Sequence, residues 1–475
     1  MYFFNDLDKY ASNTAIITEK SEKINYGDLL SFADTIGKQI ENRCLIFAVC
    51  NNSFESIAGY IGLMRAGAVL FLIHDSIHHT LFKNLLDIFK PKYVYLPSKK
   101  CDLIINSSAI YSSTCYTLFK TNFSLDYSIH KDLALLLSTS GSTGYPKLVR
   151  LSYKNIYSNA KSIAKYLSIT SDDRPVTTMP MAYSYALSIV NSHLLKGASI
   201  IVNDITFMEK RFWQLIKKKN ATTFGGVPFI FEMLKKLRFA NMDLPSLRYI
   251  TQAGGKLAPE LFVEIIDICS EKQIKFYVMY GQTEASPRMS YLPWEFARTK
   301  TGSIGIPITG GHFWLADENG KEIKKNDKLG ELIYEGDNVA LGYANSYKEL
   351  CHGDENKGVL HTGDIATRDL DGFYYIIGRK RRFLKIFGNR VNLDSIEQII
   401  KDLGYDCACK GTDDNLNIYL TDTADREVIS NHLSDKIKIN KKALTFLCID
   451  KIPRNDSGKV LYSSLENNII EKCRV

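Results

Sequence analysis

A glycine-rich loop closed by a lysine is the first stretch of the sequence that could do chemistry. The apolar run Leu133–Leu137 leads into small hydroxyl residues and glycines, and Lys147 closes the loop. Glycines let the backbone approach a ligand, hydroxyls and amides donate hydrogen bonds, and a lysine adds positive charge. The loop therefore predicts a polyphosphate site, with a flexible Ser/Gly-rich turn as the alternative. It is not the common P-loop, because no Ser or Thr follows the lysine. The residues predicted to bind phosphate are Thr139, Ser140, Gly141, Ser142, Thr143, Gly144 and Lys147.

Three further stretches carry functional groups at the ends of predicted strands, where open α/β sheets bind ligands. Gly254 and Gly255 offer bare backbone on which a ring could lie. The run Tyr280–Glu284 supplies an aromatic face, a hydroxyl and a carboxylate, which suit a base, a phosphate and a magnesium ion. Asp364 could accept hydrogen bonds from ribose hydroxyls. Each stretch alone is more typical of a turn than of a ligand site, but their order along one chain favours a nucleotide site.

The elements that must position these groups alternate between helix and strand. The runs Leu45–Cys50, Val176–Pro180 and Ala221–Val227 predict strands, and the periodicity of Tyr26–Ile40 predicts a helix. This alternation predicts an α/β fold with parallel sheets. From Gly302 the glycines become frequent and the strands short, which is typical of a β-rich subdomain. We predict a large N-terminal domain (1–380, with 302–380 β-rich) and a small α+β C-terminal domain (381–475), joined by a hinge.

Composition limits the class of protein. A chain of 475 residues suggests two or three domains, and a net charge of +8 permits an anionic ligand without indicating nucleic-acid binding. Ten scattered cysteines without a C-x-x-C pair favour reduced thiols and a cytoplasmic location. The N-terminus is unlike a signal peptide, and no run reaches the roughly 18 apolar residues of a membrane span.

The chain resembles the adenylate-forming superfamily of acyl- and aryl-CoA synthetases, nonribosomal adenylation domains and firefly luciferase. Six ordered motifs carry the resemblance, which covers nearly the whole chain. They are STSGSTGYPK (138–147), YGQTEA (280–285), GELIYEGDNVALGY (330–343), TGD (362–364), GRKRRFLKIFGNRVNLDSIE (378–397) and PRNDSGKV (453–460). The resemblance implies an ATP- and magnesium-dependent ligase that adenylates a small carboxylic acid and then passes the acyl group to a thiol.

The resemblance also implies a role for individual residues. Lys459 matches the mobile catalytic lysine, Thr283 should contact the α-phosphate, and Glu284 should bind magnesium. Asp364 should bind the ribose hydroxyls, with Arg379 beside it. The loop with Lys147 should hold the β- and γ-phosphates. The other residues expected to surround the nucleotide, with adenine between the two glycines and the tyrosine, are Gly254, Gly255, Lys256, Tyr280, Gly281, Gln282 and Ile376.

The second half-reaction should require the C-terminal domain to rotate. The hinge position of the motif is Arg381, and the loop expected to face the thiol contains Lys385, Gly388 and Arg390. The thiol is that of coenzyme A or of a carrier-protein phosphopantetheine. The short C-terminal piece leaves both acceptors open. We interpret the basic run Arg379–Arg382 as a solvated hinge rather than a nucleic-acid patch.

The acid is predicted from the segment Pro180–Leu187. Amino-acid-activating members place an aspartate there, whereas this chain has Tyr183 or Ser184, and an unpaired buried ammonium is costly. We therefore favour an aryl or acyl acid, with an amino-acid adenylation enzyme that loads a carrier protein as the alternative. Tyr183 and Tyr185 are equally typical of core aromatics. A non-catalytic nucleotide- or nucleic-acid-binding protein is the rival of another class. The residues predicted to line the acid pocket are Tyr183, Ser184, Phe224, Val227, Ala253 and Ser286.

Overall fold

The computed structural model describes residues 3–41, 43–104, 107–123, 125–139, 147–387, 389–421, 425–437, 439–454, 460–466 and 469–474. The chain forms two compact units. Unit 1 comprises Met1–Ser140, Pro146–Phe313 and Ile333–Leu360, and unit 2 comprises Gly141–Tyr145, Trp314–Leu332 and His361–Val475. Across the described residues, no helix is long and apolar enough to cross a membrane.

The helices begin at residues that satisfy their first backbone N–H groups. The side chain of Asn25 accepts from the N–H of Asp28, and Ser152 and Asn155 form a reciprocal capping box. Pro228 and Pro259 each occupy a first helical turn, where a missing N–H costs nothing. The helices are α1 (Tyr26–Gly37), α2 (Phe54–Arg65), α3 (His79–Phe89), α4 (Tyr153–Tyr166), α5 (Ser184–Leu194), α6 (Lys210–Lys218), α7 (Pro228–Lys236), α8 (Pro259–Glu271), α9 (Leu393–Asp402) and α10 (Arg426–Ile437).

The strands are short and mostly apolar. In chain order they are β1 (Thr14–Ile17), β2 (Lys23–Asn25), β3 (Leu45–Cys50), β4 (Val69–His74), β5 (Tyr93–Pro97), β6 (Ser108–Ser112), β7 (Tyr116–Lys120), β8 (Leu133–Ser138), β9 (Leu148–Ser152), β10 (Ile200–Ile201), β11 (Thr223–Gly226), β12 (Tyr249–Gln252), β13 (Lys275–Gly281), β14 (Arg288–Leu292), β15 (Ile306–Pro307), β16 (Gly311–Ala316), β17 (Gly330–Gly336), β18 (Gly342–Ala344), β19 (Val359–Arg368), β20 (Tyr374–Arg379), β21 (Phe383–Ile386), β22 (Asn389–Asn392), β23 (Cys407–Thr412), β24 (Asn415–Leu420), β25 (Leu444–Ile449) and β26 (Ile469–Arg474).

The largest sheet of unit 1 has eight strands in the order β18-β9-β8-β4-β3-β5-β7-β6. Its centre, β8-β4-β3-β5, is parallel, and antiparallel pairs flank it. Alternate residues of β3 enter two different hydrophobic clusters: Ile46 and Ala48 one, Phe47 and Val49 the other. Both faces of the sheet are therefore covered, which explains why its central strands read as continuous apolar runs.

A second sheet of unit 1 runs β11-β12-β13-β14-β15, and its first three strands are parallel. The carboxyl ends of these three strands thus lie along one edge, followed in sequence by Val227, Ala253 and Gln282. A small sheet of order β10-β1-β2 completes the sheets of unit 1 among its described residues.

One local prediction for this region was wrong. Of the predicted strand Val176–Pro180, only Val176 makes a β-bridge, to Ile201. Beyond it, the side-chain amide of Asn203 donates to the carbonyl of Thr177 at 3.0 Å, so a side chain replaces the strand ladder.

Unit 2 contains the antiparallel pairs β19–β20 and β21–β22 and a four-stranded sheet of order β23-β24-β25-β26. Helices α9 and α10 contribute Ile396, Ile400, Ile429 and Leu433 to the same hydrophobic cluster as this sheet. This mixed packing agrees with the predicted small α+β fold. The unit also includes residues 361–380, so the predicted boundary at Arg381 stays a prediction.

One residue of the basic run Arg379–Arg382, Arg382, is not in solvent as the sequence predicted. The guanidinium of Arg382 pairs with Asp394 at 2.7 Å and Glu397 at 2.6 Å, and it lies 4.1 Å from the ring centroid of Tyr462. The side chains of Arg382 and Glu397 are 13% and 7% exposed. Arg381 is exposed and forms no ion pair with any residue that the structure describes, whereas Lys380 pairs with Glu331 at 2.7 Å.

We predict that Arg382→Met destabilises the protein by about 3 to 5 kcal/mol, because it leaves the Glu397 carboxylate buried without its cation. The double variant Arg382→Met/Glu397→Gln should recover part of this loss, since no unpaired charge then remains buried. Chemical denaturation measures both. The exposed pair of Lys410 and Glu466 provides the control: if Lys410→Met costs as much, the burial argument is wrong.

Candidate active site

The predicted phosphate loop connects two neighbouring antiparallel strands. Ser138 at the end of β8 and Leu148 at the start of β9 are register partners. The backbone N–H of Thr139 donates to the carbonyl of Lys147 at 3.3 Å, which closes the neck of the loop. Ser140, Gly141, Ser142, Thr143 and Gly144 lie outside the described residues, so their part in a phosphate site stays a prediction.

Tyr343 links the lysine of this loop to the carboxylate of another motif. Its hydroxyl donates to Oε1 of Glu284 at 2.8 Å, and the ammonium of Lys147 lies 5.8 Å from its ring centroid. The N–H of Ala340 donates to the Glu284 carbonyl at 2.8 Å. The structure thus brings together Lys147 and Glu284, which the sequence placed in separate motifs.

A buried arginine holds Tyr343 in place. Strand β18 pairs antiparallel to β9, with Tyr343 opposite Val149. The guanidinium of Arg150 is fully buried; it donates to the carbonyl of Tyr343 at 2.9 Å and pairs with Glu355 at 2.5 Å. Gly342 has φ of +136°, and a Cβ there would come within 2.2 Å of a Glu355 oxygen. Only glycine fits between these groups.

The turn that follows β13 carries Thr283 and Glu284 and is clamped by amides. The hydroxyls of Thr283 and Ser184 are 3.1 Å apart. Asn338 donates to the carbonyls of Ala285 and Arg288 at 2.6 and 2.8 Å, and Asn159 donates to that of Arg288 at 2.9 Å. Thr283 therefore lies beside a predicted acid-pocket residue on a turn whose backbone is fixed at both ends.

The predicted adenine segment follows β12. Gly254 has φ of +85°, and a Cβ on it would lie 2.8 Å from the hydroxyl of Tyr183 and 3.1 Å from Val227. The amide of Gln252 donates to the carbonyl of Gly255 at 2.7 Å, which holds the turn open. Gly255 is exposed, as is the predicted Lys256. These contacts bring Tyr183 and Val227 to the bare backbone of Gly254.

Tyr280, Gly281 and Gln282 of the same motif are half-buried. The Gln282 amide donates to the Tyr280 hydroxyl at 3.4 Å, and the ring of Tyr280 lies 6.4 Å from that of Phe313. A Cβ on Gly281 would come within 2.0 Å of the Pro287 carbonyl, so this position requires glycine for close approach of two backbones.

The other acid-pocket candidates are mostly buried. Phe224 packs edge-on against Trp213, and Ala253 is 3% exposed. Ser286 turns its hydroxyl to the Asn338 carbonyl at 2.8 Å. Tyr185 behaves as a core aromatic, because its hydroxyl bonds Thr251 at 2.7 Å and burial raises its pKa.

Unit 2 holds the predicted ribose-binding pair. Asp364 and Arg379 are register partners on β19 and β20, and Arg379 Nε lies 2.7 Å from Asp364 Oδ1. Ile376 lies on β20 opposite Ala366. Lys385 is exposed, and its strand pairs it with Arg390. Lys459 and Gly388 lie outside the described residues.

Comparisons with known proteins agree with this architecture. The model of the AMP-binding enzyme family matches residues 3–344. The chain belongs to this family. It is 28% identical over 357 residues to an oxalate–CoA ligase from Arabidopsis thaliana (72% of this chain, 68% of that one). It is 29% identical over 268 residues to a feruloyl-CoA synthase from Amycolatopsis sp (56% of this chain, 53% of that one).

Solved structures share its fold over nearly the whole length. O-succinylbenzoate coenzyme A synthetase (MenE) from Bacillus subtilis in complex with AMP matches with a TM-score of 0.80 at 20% identity, covering 98% of each chain. The same enzyme in complex with ATP and a magnesium ion matches with a TM-score of 0.76. The predicted superfamily, α/β fold class and AMP-forming acid–thiol ligase class are thus confirmed.

The sequence did not indicate the importance of two residues in this region, Tyr343 and Arg288. Tyr343 closes one of the six motifs, but nothing in its local sequence indicates contact with Glu284. Arg288 follows the Tyr280 motif by a few residues and reads as an ordinary strand residue; in the structure it is 2% exposed.

We predict that Gly254→Ala lowers ATP–pyrophosphate exchange by about tenfold or more, because the added methyl group displaces the Tyr183 hydroxyl. Gly310→Ala is the matched control, since Gly310 has φ of +84° with no atom within 4 Å of a built Cβ. Both variants should lose about 1 to 2 kcal/mol to the left-handed backbone, measured by urea unfolding. Equal exchange activities would contradict a role for the space beside Gly254.

Proposed function

We propose that this enzyme uses ATP to adenylate a small carboxylic acid and then transfers the acyl group to a thiol. In the first step a carboxylate oxygen bonds to the α-phosphorus, and the bond from that phosphorus to the bridging oxygen of pyrophosphate breaks. In the second step the thiol sulfur replaces AMP at the acyl carbon. The observation that carries this proposal is the junction of Lys147, Tyr343 and Glu284 beside Thr283.

The nucleotide is held, in this proposal, by groups that supply positive charge and hydrogen-bond donors. Lys147 and the preceding loop bind the β- and γ-phosphates, and Thr283 binds the α-phosphate. The bare backbone at Gly254 accommodates adenine against Tyr280. Asp364, oriented by Arg379, accepts from the ribose hydroxyls; its side chain is only 3% exposed, so a bound ribose replaces little water there.

Magnesium fits the donor set around Glu284. Tyr343 donates to one carboxylate oxygen, and a carboxylate has further acceptor capacity. Among the described residues no three His, Cys, Asp or Glu side chains cluster, so the ion would rely on this carboxylate, phosphate oxygens and water, as magnesium commonly does. When bound, the ion offsets the repulsion between the carboxylate and the triphosphate.

We predict that Glu284→Gln raises the magnesium concentration needed for half-maximal ATP–pyrophosphate exchange by about tenfold or more. Tyr343→Phe should raise it by a smaller factor, because the carboxylate stays but loses the hydroxyl that orients it. Tyr375→Phe is the control, since its hydroxyl donates to Asp369 at 3.1 Å in unit 2. A magnesium titration that is unchanged in both site variants would contradict this assignment.

The acid enters, in this proposal, beside Tyr183 and Ser184. Neither side chain is anionic, and the Ser184 hydroxyl bonds Thr283, which favours an acyl or aryl acid over an α-amino acid. The relatives reported above are named for oxalate and for ferulate, which differ in size and in the presence of a ring. An amino-acid adenylation enzyme remains the second candidate, and a panel of acids separates the two.

The small domain after Arg381 alternates between the half-reactions in this proposal. The ion pairs support Arg381 as the hinge: Arg379 and Lys380 bond Asp364 and Glu331, which precede it, whereas Arg382 bonds Asp394 and Glu397, which follow it. Rotation would exchange Lys459 for the loop of Lys385, Gly388 and Arg390. The acceptor is coenzyme A or a carrier-protein phosphopantetheine. We place this reaction in the cytoplasm, in keeping with ten scattered cysteines that form no C-x-x-C pair.

We predict that Lys459→Ala abolishes adenylate formation while ATP binding persists, because it removes the cation between carboxylate and α-phosphate. Lys385→Ala and Arg390→Ala should instead impair thioester formation more than adenylation. Mass spectrometry of adenylate and thioester, with a panel of aryl, acyl and amino acids and either coenzyme A or a holo carrier protein, measures both steps. Equal losses in the two steps for all three variants would refute the rotating domain.

A further inference from the structure

The chain is fixed in place immediately after the predicted catalytic lysine. Val460 directly follows Lys459 in the sequence and forms an antiparallel β-bridge with Arg454. One residue further on, the N–H of Leu461 donates to the Pro453 carbonyl at 2.8 Å. These two contacts join the stretches of chain on either side of the segment that carries the lysine.

Tyr462 anchors this part of the chain to helix α9. Its hydroxyl lies 3.0 Å from Oε2 and 3.2 Å from Oε1 of Glu397, a carboxylate that is 7% exposed. Burial raises the pKa of Tyr462, and the charge of Glu397 raises it further, so the hydroxyl keeps its proton and donates to the carboxylate. Val460 and Tyr462 also pack against a hydrophobic cluster that contains Tyr419 and Leu465. The anchor therefore combines a charge-assisted hydrogen bond with apolar packing.

The same tyrosine contacts the residue next to the proposed hinge. Its ring centroid lies 4.1 Å from Cζ of Arg382, whose guanidinium is held by the two carboxylates of α9 described above. Arg382 directly follows Arg381. Tyr462 lies three residues after Lys459. The contact between the tyrosine ring and the guanidinium therefore links the hinge position to the lysine by a short path within the small domain.

An anchor at this place suits the adenylation step. In the proposed function the ammonium of Lys459 lies between the carboxylate and the α-phosphate, and a misplacement of about 1 Å in such a group can cost about 100-fold in rate. A tyrosine held by a buried ion pair three residues away limits where the backbone of the lysine can lie. Thioester formation does not use this lysine, so that step does not depend on the anchor.

We propose that Tyr462 is a positioning residue for Lys459 in the adenylation step. Its contacts with Glu397 and Arg382 hold the chain that follows the lysine at a fixed place in the small domain. This inference rests on the proposed function and adds to it a residue that acts only through the lysine. Because these contacts all lie on the C-terminal side of Arg381, a rotation at that residue would move the anchor and the lysine together.

The test measures the two half-reactions separately, with benzoate and hexanoate as probe acids. Tyr462→Phe keeps the ring but loses the hydroxyl, and it should lower kcat for ATP–pyrophosphate exchange by about tenfold. Tyr462→Leu loses both contacts and should lower it by about 100-fold. KM for ATP and for the acid should stay within about twofold, because the lysine acts in the transition state. Thioester formation from supplied benzoyl- or hexanoyl-adenylate, with coenzyme A or a holo carrier protein, should be unchanged.

Tyr375→Phe is the matched control, since it also removes a hydroxyl that donates to a carboxylate in unit 2, that of Asp369. Both half-reactions should be unchanged in this variant. Hydrogen–deuterium exchange provides a second readout that needs no substrate. The amide of Leu461 should exchange faster in both Tyr462 variants than in the wild-type enzyme, and at the wild-type rate in Tyr375→Phe.

The outcomes separate a positioning role from a purely structural one. Equal losses in adenylation and thioester formation would indicate general destabilisation of the domain and overturn the inference. Unchanged adenylation in both Tyr462 variants, or an unchanged amide exchange rate at Leu461, overturns it as well. A wild-type enzyme that gives no exchange with any acid overturns the proposed function itself. If Tyr462→Leu does not fold, Tyr462→Phe still decides, because it keeps the ring and its packing.

Discussion

The candidate active site depends on one buried guanidinium, that of Arg150. It lies on β9, and its hydrogen bonds to the carbonyls of Leu341 and Tyr343 attach β18 to the edge of the large sheet. The two residues it joins, Arg150 and Tyr343, are 193 positions apart in the chain. Because β9 also receives the phosphate loop, this attachment sets the Tyr343 ring beside Lys147 and its hydroxyl on Glu284. The buried charge of Arg150 is paired with Glu355 and hydrogen-bonded to backbone carbonyls, which offsets the cost of burying it. The guanidinium thereby holds together residues that are distant in the sequence.

The sequence was most informative where periodicity and strand ends decide the outcome. The apolar runs at β3 and β8, the loop after β8 and the segments after β12 and β13 were all predicted, because parallel strands deliver their carboxyl ends to one edge. Val176–Pro180 was wrongly predicted as a strand because local sequence does not show that the side chain of Asn203 binds the Thr177 carbonyl. The residues of the mobile-lysine motif remain a sequence-based assignment.

Contacts between residues distant in the chain could not be predicted from the local sequence. Nothing near Tyr343 indicates its bond to Glu284. Arg288 reads as an ordinary strand residue, although the ring of Tyr185 covers its guanidinium and the amides of Asn159 and Asn338 bind its carbonyl. Arg382 was expected in solvent for the same reason, since its partners Asp394 and Glu397 are provided by the following helix. In each case a charged or polar side chain is buried by residues distant in sequence, and hydropathy patterning does not register such pairs.

The clamped turn between Thr283 and Arg288 has a consequence for how this enzyme can diversify. Its backbone carbonyls are held by Asn159 and Asn338, and its two ends carry Thr283, the proposed α-phosphate ligand, and the buried side chain of Arg288. An insertion or deletion at the Arg288 end would also displace the Thr283 end. New substrate preferences are therefore accessible mainly by exchanging side chains at fixed backbone positions, such as Ser184, while replacing this loop would reduce activity along with selectivity.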